Sequence, residues 1–507
     1  MEHVFDPEED GSSSPKTVVL QGYINGPILD VIPVYPEKLL FILDGFPELQ
    51  YPVCDQEEDL SANLQEKKPA EILWFTDAEK KAYFLSQFSG ANAAMRVFYG
   101  LRENEGLDIM SALPIISWMI CRVLQSQGDG DRTLMRPFQL RNLPVSPLHL
   151  LCQALRNPYC KIKDLKLIFC HLTASCGRDL SLVFETNQYL TDLEFVKNTL
   201  EDSGMKLLCE GLKQPNCILQ TLRLYRCLIS SASCGALAAV LSTNQWLTEL
   251  EFSETKLEAS ALKLLCDGLK DPNCKLQKLN LSTCYLTGAS CVELSSFLQV
   301  SQTLKELFVF ANALGDTGVQ HLCEGLQHAN GVIENLVLSE CSLSAACCKS
   351  LAQVLSSTRS LTKLLLINNK IEDLGLKLLC EGLKQPDCQL KDLALWTCHL
   401  TGECCQDLCN ALYTNEHLRD LDLSDNALGD EGMQVLCEGL KHPSCKLQTL
   451  WLAECYLTDA CCGALASVLS RNENLTLLDL SGNDLRDFGV QMLCDALIHP
   501  ICKLQTF

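Results

Sequence analysis

Residues 421–440 read Leu421-Asp422-Leu423-Ser424-Asp425-Asn426-Ala427-Leu428-Gly429-Asp430-Glu431-Gly432-Met433-Gln434-Val435-Leu436-Cys437-Glu438-Gly439-Leu440. Leu421 and Leu423 alternate with period two, the mark of a short strand buried on one face. From Gly432 onward the apolar residues fall at 433, 436, 437 and 440, which is helical spacing with one face inward. Pro443 stops that helix, and Leu447 and Leu450 open the next strand. The segment is therefore strand, turn, helix, stop.

The segment recurs along the chain. Cys170, Cys227, Cys284, Cys341, Cys398 and Cys455 are spaced 57 residues apart, as are Cys152, Cys209, Cys266, Cys323, Cys380, Cys437 and Cys494. Asn198, Asn312, Asn369, Asn426 and Asn483 lie on the same grid, interrupted by Thr255. Each 57-residue unit divides into half-units of 28 and 29 residues, and the Leu-x-Leu runs from Leu165-Lys166-Leu167 to Leu478-Asp479-Leu480 predict twelve strands. Helices are wider than strands, so a parallel stack of such units bends into an α/β horseshoe with strands inside and helices outside. At the turn, Asn can bond backbone groups left unpaired, and Cys fills the alternate slot with a small apolar atom and a weak donor. The last unit begins at Leu478, and its apolar edge is expected to open first.

Composition narrows the function. There are 41 Lys+Arg against 63 Asp+Glu, a net charge of -22, which argues against a nucleic-acid partner. No run of 18 apolar residues is present and Met1-Glu2-His3 starts no secretory signal, so a cytoplasmic chain with no membrane partner is expected. In that reducing compartment the 31 cysteines are expected as thiols rather than disulfides. Cys347-Cys348, Cys404-Cys405 and Cys461-Cys462 are adjacent pairs. Helical neighbours point about 100° apart and no second Cys-x2-Cys pair stands at zinc-finger spacing, so packing is expected, with no metal and no catalytic thiol.

The residue between each pair of leucines faces the inner side. In order these are Lys166, Glu194, Arg223, Glu251, Asn280, Phe308, Val337, Leu365, Ala394, Asp422, Trp451 and Asp479, with Trp396 just past its strand. Early strands are charged, the middle is apolar, and late strands set Trp beside Asp. An exposed Trp among carboxylates suits a protein partner, the alternative being that Phe308, Val337 and Leu365 pack under an ordered loop. Phe308, Val337, Leu365, Trp396, Asp422, Trp451 and Asp479 are the candidate protein-binding residues. No catalytic constellation is visible.

The first 140 residues lack the repeat. Residues 1–70 hold 14 acidic and 4 basic residues, and 1–14 read as a disordered acidic tail. Strands are expected at Lys16–Gly22 and Leu39–Gly45, the second ending in Asp44, which could hold Mg²⁺ beside a nucleotide. The loop Gly-x-x-x-x-Gly-Lys-[Ser/Thr] that would cradle its phosphates is absent. Thr76 caps a helix through Phe84, Leu107–Leu124 is apolar, and 128–144 reads as a linker into repeats at 145–507.

These residues resemble the NOD-like receptor family, in the subfamily with NACHT, pyrin and ribonuclease-inhibitor-type leucine-rich repeats. Leu421-x-Leu423-x-x-Asn426-x-Leu428 and Cys437-Glu438-Gly439-Leu440 carry the match most strongly. Lys16–Gly22 resembles the strand entering the Walker A loop, and Leu40–Leu49 the Walker B segment, with Asp44 at the magnesium aspartate and Glu48 at the acidic position beyond it. Residues 15–127 then correspond to a truncated NACHT-like remnant, and the chain looks like an internally deleted form without the pyrin domain and Walker A loop. The resemblance implies a non-enzymatic, cytoplasmic, protein-binding scaffold or regulator with an innate-immune or germ-cell role. It also implies ATP and Mg²⁺ in full-length relatives and no cofactor here. A ribonuclease-inhibitor-like binder of small basic ribonucleases and a residual ATP-binding switch are the alternatives. Self-association is compatible with each.

Overall fold

The computed structural model describes residues 17–21, 40–42 and 152–506, the last stretch with gaps at 154, 157–161, 169–171, 173, 199 and 329–331. The expectations on the tail, Asp44, Glu48, Cys54, Thr76–Phe84, Leu107–Leu124, Cys121, the linker and Cys170 lie outside the described residues. The chain divides into two units, Met1–Leu228 and Ile229–Phe507.

In the first unit, β1 (Thr17–Gln21), β2 (Leu40–Ile42), β3 (Asp164–Ile168), β4 (Asp192–Val196) and β5 (Thr221–Tyr225) are parallel in the order β2-β1-β3-β4-β5. Strands thus form inside both runs expected in the preface, and β1 continues the ladder of the repeats. Helices α1 (Ala174–Thr186) and α2 (Asp202–Leu212) follow β3 and β4.

The second unit repeats helix and strand without interruption. Its strands are β6 (Glu249–Ser253), β7 (Lys278–Asn280), β8 (Glu306–Phe308), β9 (Asn335–Val337), β10 (Lys363–Leu365), β11 (Asp392–Ala394), β12 (Asp420–Asp422), β13 (Thr449–Trp451) and β14 (Leu477–Asp479). All pair in parallel with their chain neighbours in register, so Phe308, Val337, Leu365, Ala394, Asp422, Trp451 and Asp479 form one row. The helices are α3 (Ser231–Leu241), α4 (Ala259–Leu269), α5 (Ser290–Leu298), α6 (Gly315–His328), α7 (Ala345–Ser357), α8 (Glu372–Leu383), α9 (Cys405–Leu412), α10 (Gly429–Leu440), α11 (Asp459–Leu469) and α12 (Arg486–Leu497). The twelve strands read from the Leu-x-Leu runs are β3 to β14.

Leucines flanking the row, such as Leu307, Leu336, Leu364 and Leu421, are fully buried toward the helices. Each stabilises the stack by about 1.5–3 kcal/mol relative to exposure. The Asn and Cys slots hold the turns as expected. Asn426 Nδ2 donates to the Leu395 carbonyl at 2.8 Å, and its Oδ1 accepts from the N–H groups of Cys398 at 3.0 Å and Leu400 at 2.9 Å. Cys398 Sγ reaches the Leu366 carbonyl at 3.2 Å. Glycine in the Cys-Glu-Gly-Leu segment has a packing reason: a Cβ on Gly439 would lie 3.0 Å from the Cys409 backbone in α9.

Candidate functional site

One face of the second unit's sheet carries helices and the other is open. Period-two alternation puts the row from Phe308 to Asp479 on the open face. Phe308 and Leu365 are half-buried, whereas Val337, between them in register, is 6% exposed, and Ala394 is 8% exposed. Large neighbours on both sides shield Val337, so less of it faces solvent than of Phe308 or Leu365. Trp396, two residues past Ala394, is 47% exposed. Trp451, Asp422 and Asp479 are half-buried.

The same alternation extends two residues beyond the central row, to Phe310, Ser339, Ile367 and Trp396. Phe310 and Ile367 are half-buried. With Phe308, Val337 and Leu365 they make a two-row apolar patch across β8 to β10. Of this second row sequence reading took only Trp396, because elsewhere it followed the residue between the leucines. Ser339 lies within the patch, 3% exposed, and its hydroxyl has no hydrogen-bond partner.

Charge is distributed unevenly around the patch. On the β7 side Lys278 pairs with Glu249 at 2.9 Å and stands 5.4 Å over the Phe308 ring. On the β11–β13 side carboxylates gather. Asp392 has Lys363 at 3.9 Å, and Asp420 accepts from the Trp451 indole N–H at 3.2 Å. Burial pushes the Asp420 carboxyl above its ordinary range, and Asp392 and Asp422 add to the rise, against the Trp451 hydrogen bond. Asp422 and Asp479 each use one oxygen locally, accepting from Ser424 N–H at 2.9 Å and Ser481 N–H at 2.8 Å. In the first unit the corresponding residues pair with one another, Lys166 with Glu194 at 3.0 Å and Arg223 with Asp192 at 3.8 Å.

The thiols lie elsewhere. Every described cysteine is free, and all but Cys494 and Cys502 are buried. Burial pushes Cys284 and Cys398 up to about 12, far from a thiolate nucleophile. Among the described residues no group of three or more His, Cys, Asp or Glu could hold a metal ion, and no helix is long and apolar enough to cross a membrane.

Residues 186–209, 414–437 and 471–494 match the family described as Leucine Rich repeat. The ribonuclease inhibitor of Mus musculus is 42% identical over 331 residues, covering 65% of this chain and 73% of that protein. The chain belongs to the ribonuclease-inhibitor family. This ribonuclease-inhibitor-type array is also homologous to NACHT, LRR and PYD domains-containing proteins. Number 12 of Homo sapiens is 46% identical over 321 residues, 63% of this chain. Number 14 of Homo sapiens is 39% identical over 405 residues, 78% of this chain. The chain spans only 30% and 37% of those two proteins. The alignment with number 14 is longer than the repeat region, so it takes in part of the preface.

Proposed function

We propose that the chain is a non-enzymatic protein-binding scaffold that docks its partner on the open face of the repeat sheet. The observation that carries this is the solvent-facing apolar run Phe308, Phe310, Leu365 and Ile367, ending at exposed Trp396 on a face without helices. Large apolar residues clustered on a surface mark interaction sites. The resemblance to NOD-like receptors points to a cytoplasmic scaffold or regulator with an immune or germ-cell role, and homology to proteins named for NACHT, LRR and PYD domains supports that family likeness. The alignment with number 14, which takes in part of the preface, supports reading it as a NACHT-like remnant. Nucleotide binding through Asp44 and Glu48 rests on resemblance alone, and calorimetry with ATP and Mg²⁺ tests it directly.

A photo-crosslinking residue at position 365, compared with one at Lys377 on α8, tests the docking face. Partner crosslinks at 365, lost when Phe308 is changed to Glu, are expected. Crosslinks equal at both positions would refute it.

The second reading is inhibition of small basic ribonucleases. The 42% identity to ribonuclease inhibitor and the carboxylates beside Trp451 favour it. Titration of a basic ribonuclease decides: no loss of its activity at micromolar protein removes this reading and leaves the first intact.

A further inference from the structure

The open face is asymmetric, and the asymmetry describes the occupant. This rests on the docking reading above and adds to it the chemistry of the partner. The apolar patch spans β8 to β10. Beyond it, Asp392 and Asp420 are register neighbours on β11 and β12, and Asp422 lies two residues past Asp420 on the same face. Neighbouring strands are about 4.8 Å apart and residues i and i+2 about 6.5–7 Å apart, so one cation can sit near all three carboxylates. Trp451 contacts Asp420 directly, and its ring can stack on a guanidinium or ammonium, whereas Trp396 lies four residues past Asp392, about 13 Å along the strand. Lys363 stands 3.9 Å from Asp392, is 41% exposed and also acts on Asp420, but among the described residues no salt bridge reaches Asp420 or Asp422. At the opposite end Lys278 already occupies the Phe308 ring, so a ligand cation is disfavoured there.

We infer that this face takes an extended protein segment with apolar side chains over Phe308, Phe310, Leu365, Ile367 and Trp396 and one lysine or arginine beside Trp451, against Asp420 and Asp422. The distance fixes the spacing. From β8 to β12 is four strand steps, about 19 Å, which about six extended residues cover. The cation therefore stands about six residues from the first apolar anchor. A uniformly basic protein without such anchors is a different ligand.

A phage-displayed random dodecapeptide library, panned on the reduced full chain, is the probe. Enriched peptides are expected to carry at least two apolar residues with Lys or Arg five to seven positions from the first. Asp420→Asn combined with Asp422→Asn keeps the local turn acceptors and is expected to weaken those peptides at least tenfold. Trp396→Ala, at an exposed position that leaves packing intact, is expected to weaken them several-fold. The inference is overturned by basic-only or acidic motifs, by binding that the carboxylate variant leaves unchanged, or by no enrichment at all. None of these outcomes touches the crosslinking result at 365, so docking on this face can stand while this partner chemistry falls.

Discussion

Asn415 shows what one side chain does for a repeat. Its Nδ2 donates to the Leu383 carbonyl at 2.8 Å, while its Oδ1 accepts from His417 N–H at 2.9 Å and Leu418 N–H at 2.8 Å. Asn472 repeats the arrangement on Leu440, Asn474 and Leu475. On the same grid the middle repeats carry Ser301 and Thr358 instead. The shorter Ser301 side chain accepts from Leu304 N–H at 3.3 Å. A net hydrogen bond contributes about 0.5–1.5 kcal/mol, so Ser301→Asn, which can reach the Leu269 carbonyl, should stabilise by about 1 kcal/mol. Urea unfolding of the two proteins checks this; an unchanged or lower midpoint would refute it. This Asn slot was not legible in the sequence, because Ser301 and Thr358 break its period. The Cys398/Asn426 slot was legible because its period continues through those same repeats.

At the scale of elements, helices pack closely wherever Gly recurs in the Cys-x-Gly-Leu segment. A Cβ on Gly268 of α4 would stand 2.5 Å from the Cα of Ala238 in α3, a contact that requires backbone movement. Gly235 of α3 has only Leu264 at 3.8 Å. Overpacking costs about 1–3 kcal/mol, whereas Ala in place of an unconstrained helical Gly gains about 0.5–1 kcal/mol. Gly268→Ala should therefore lower the thermal midpoint and Gly235→Ala raise it. Changes of the same sign would overturn this account of the packing. Helix starts are tied in a second way. Asp430 at the start of α10 accepts from Thr458 N–H at 2.8 Å and from its hydroxyl at 2.6 Å, and that same hydroxyl caps α11. Burial pushes the Asp430 carboxyl up, but the Thr458 hydroxyl and N–H, with Cys461 behind them, outweigh it and hold the group below the usual carboxylate range. A lowered pKa means the folded state releases the proton more readily, so the contribution is present above the unfolded value of about 3.9 and is lost as pH falls through the folded one. The stability gap between native protein and Asp430→Asn should be constant from about pH 5 to 7 and shrink below about pH 4. Denaturant midpoints across that range measure it, and a gap that widens in acid would contradict it.

Across the whole molecule, the strands were legible because a strand that buries one face must alternate, and twelve copies make the alternation unmistakable. The central row of the open face, Phe308 to Asp479, followed from the same rule. Of the second row only Trp396 was read; Phe310 and Ile367, which lie beyond the last paired residue of each short strand, were hidden. The Trp451–Asp420 bond joins residues 31 apart and depends on a rotamer, which no spacing encodes. The terminal repeat shows a related mixture. An exposed edge was expected after Leu478, yet the backbone there is partly paired: Gln505 N–H donates to the Thr476 carbonyl at 2.7 Å and Leu478 N–H to Thr506 at 3.2 Å. The helical side is what remains open. Of α12, only Gly489 and Leu493 are buried, whereas α10 buries Met433, Leu436, Cys437 and Leu440 together with two glycines. Phe488 is 68% and Ile498 80% exposed. Less buried apolar surface means a smaller free energy of local opening. Amides of α12 should therefore exchange at least tenfold faster than those of α10, while β14 amides bonded to the 505–506 backbone stay closer to the rest of the sheet. Hydrogen exchange read by mass spectrometry separates the two elements. Equal protection of α12 and α10 would mean that the exposed face is covered in solution, and self-association through that face would then be the first thing to measure.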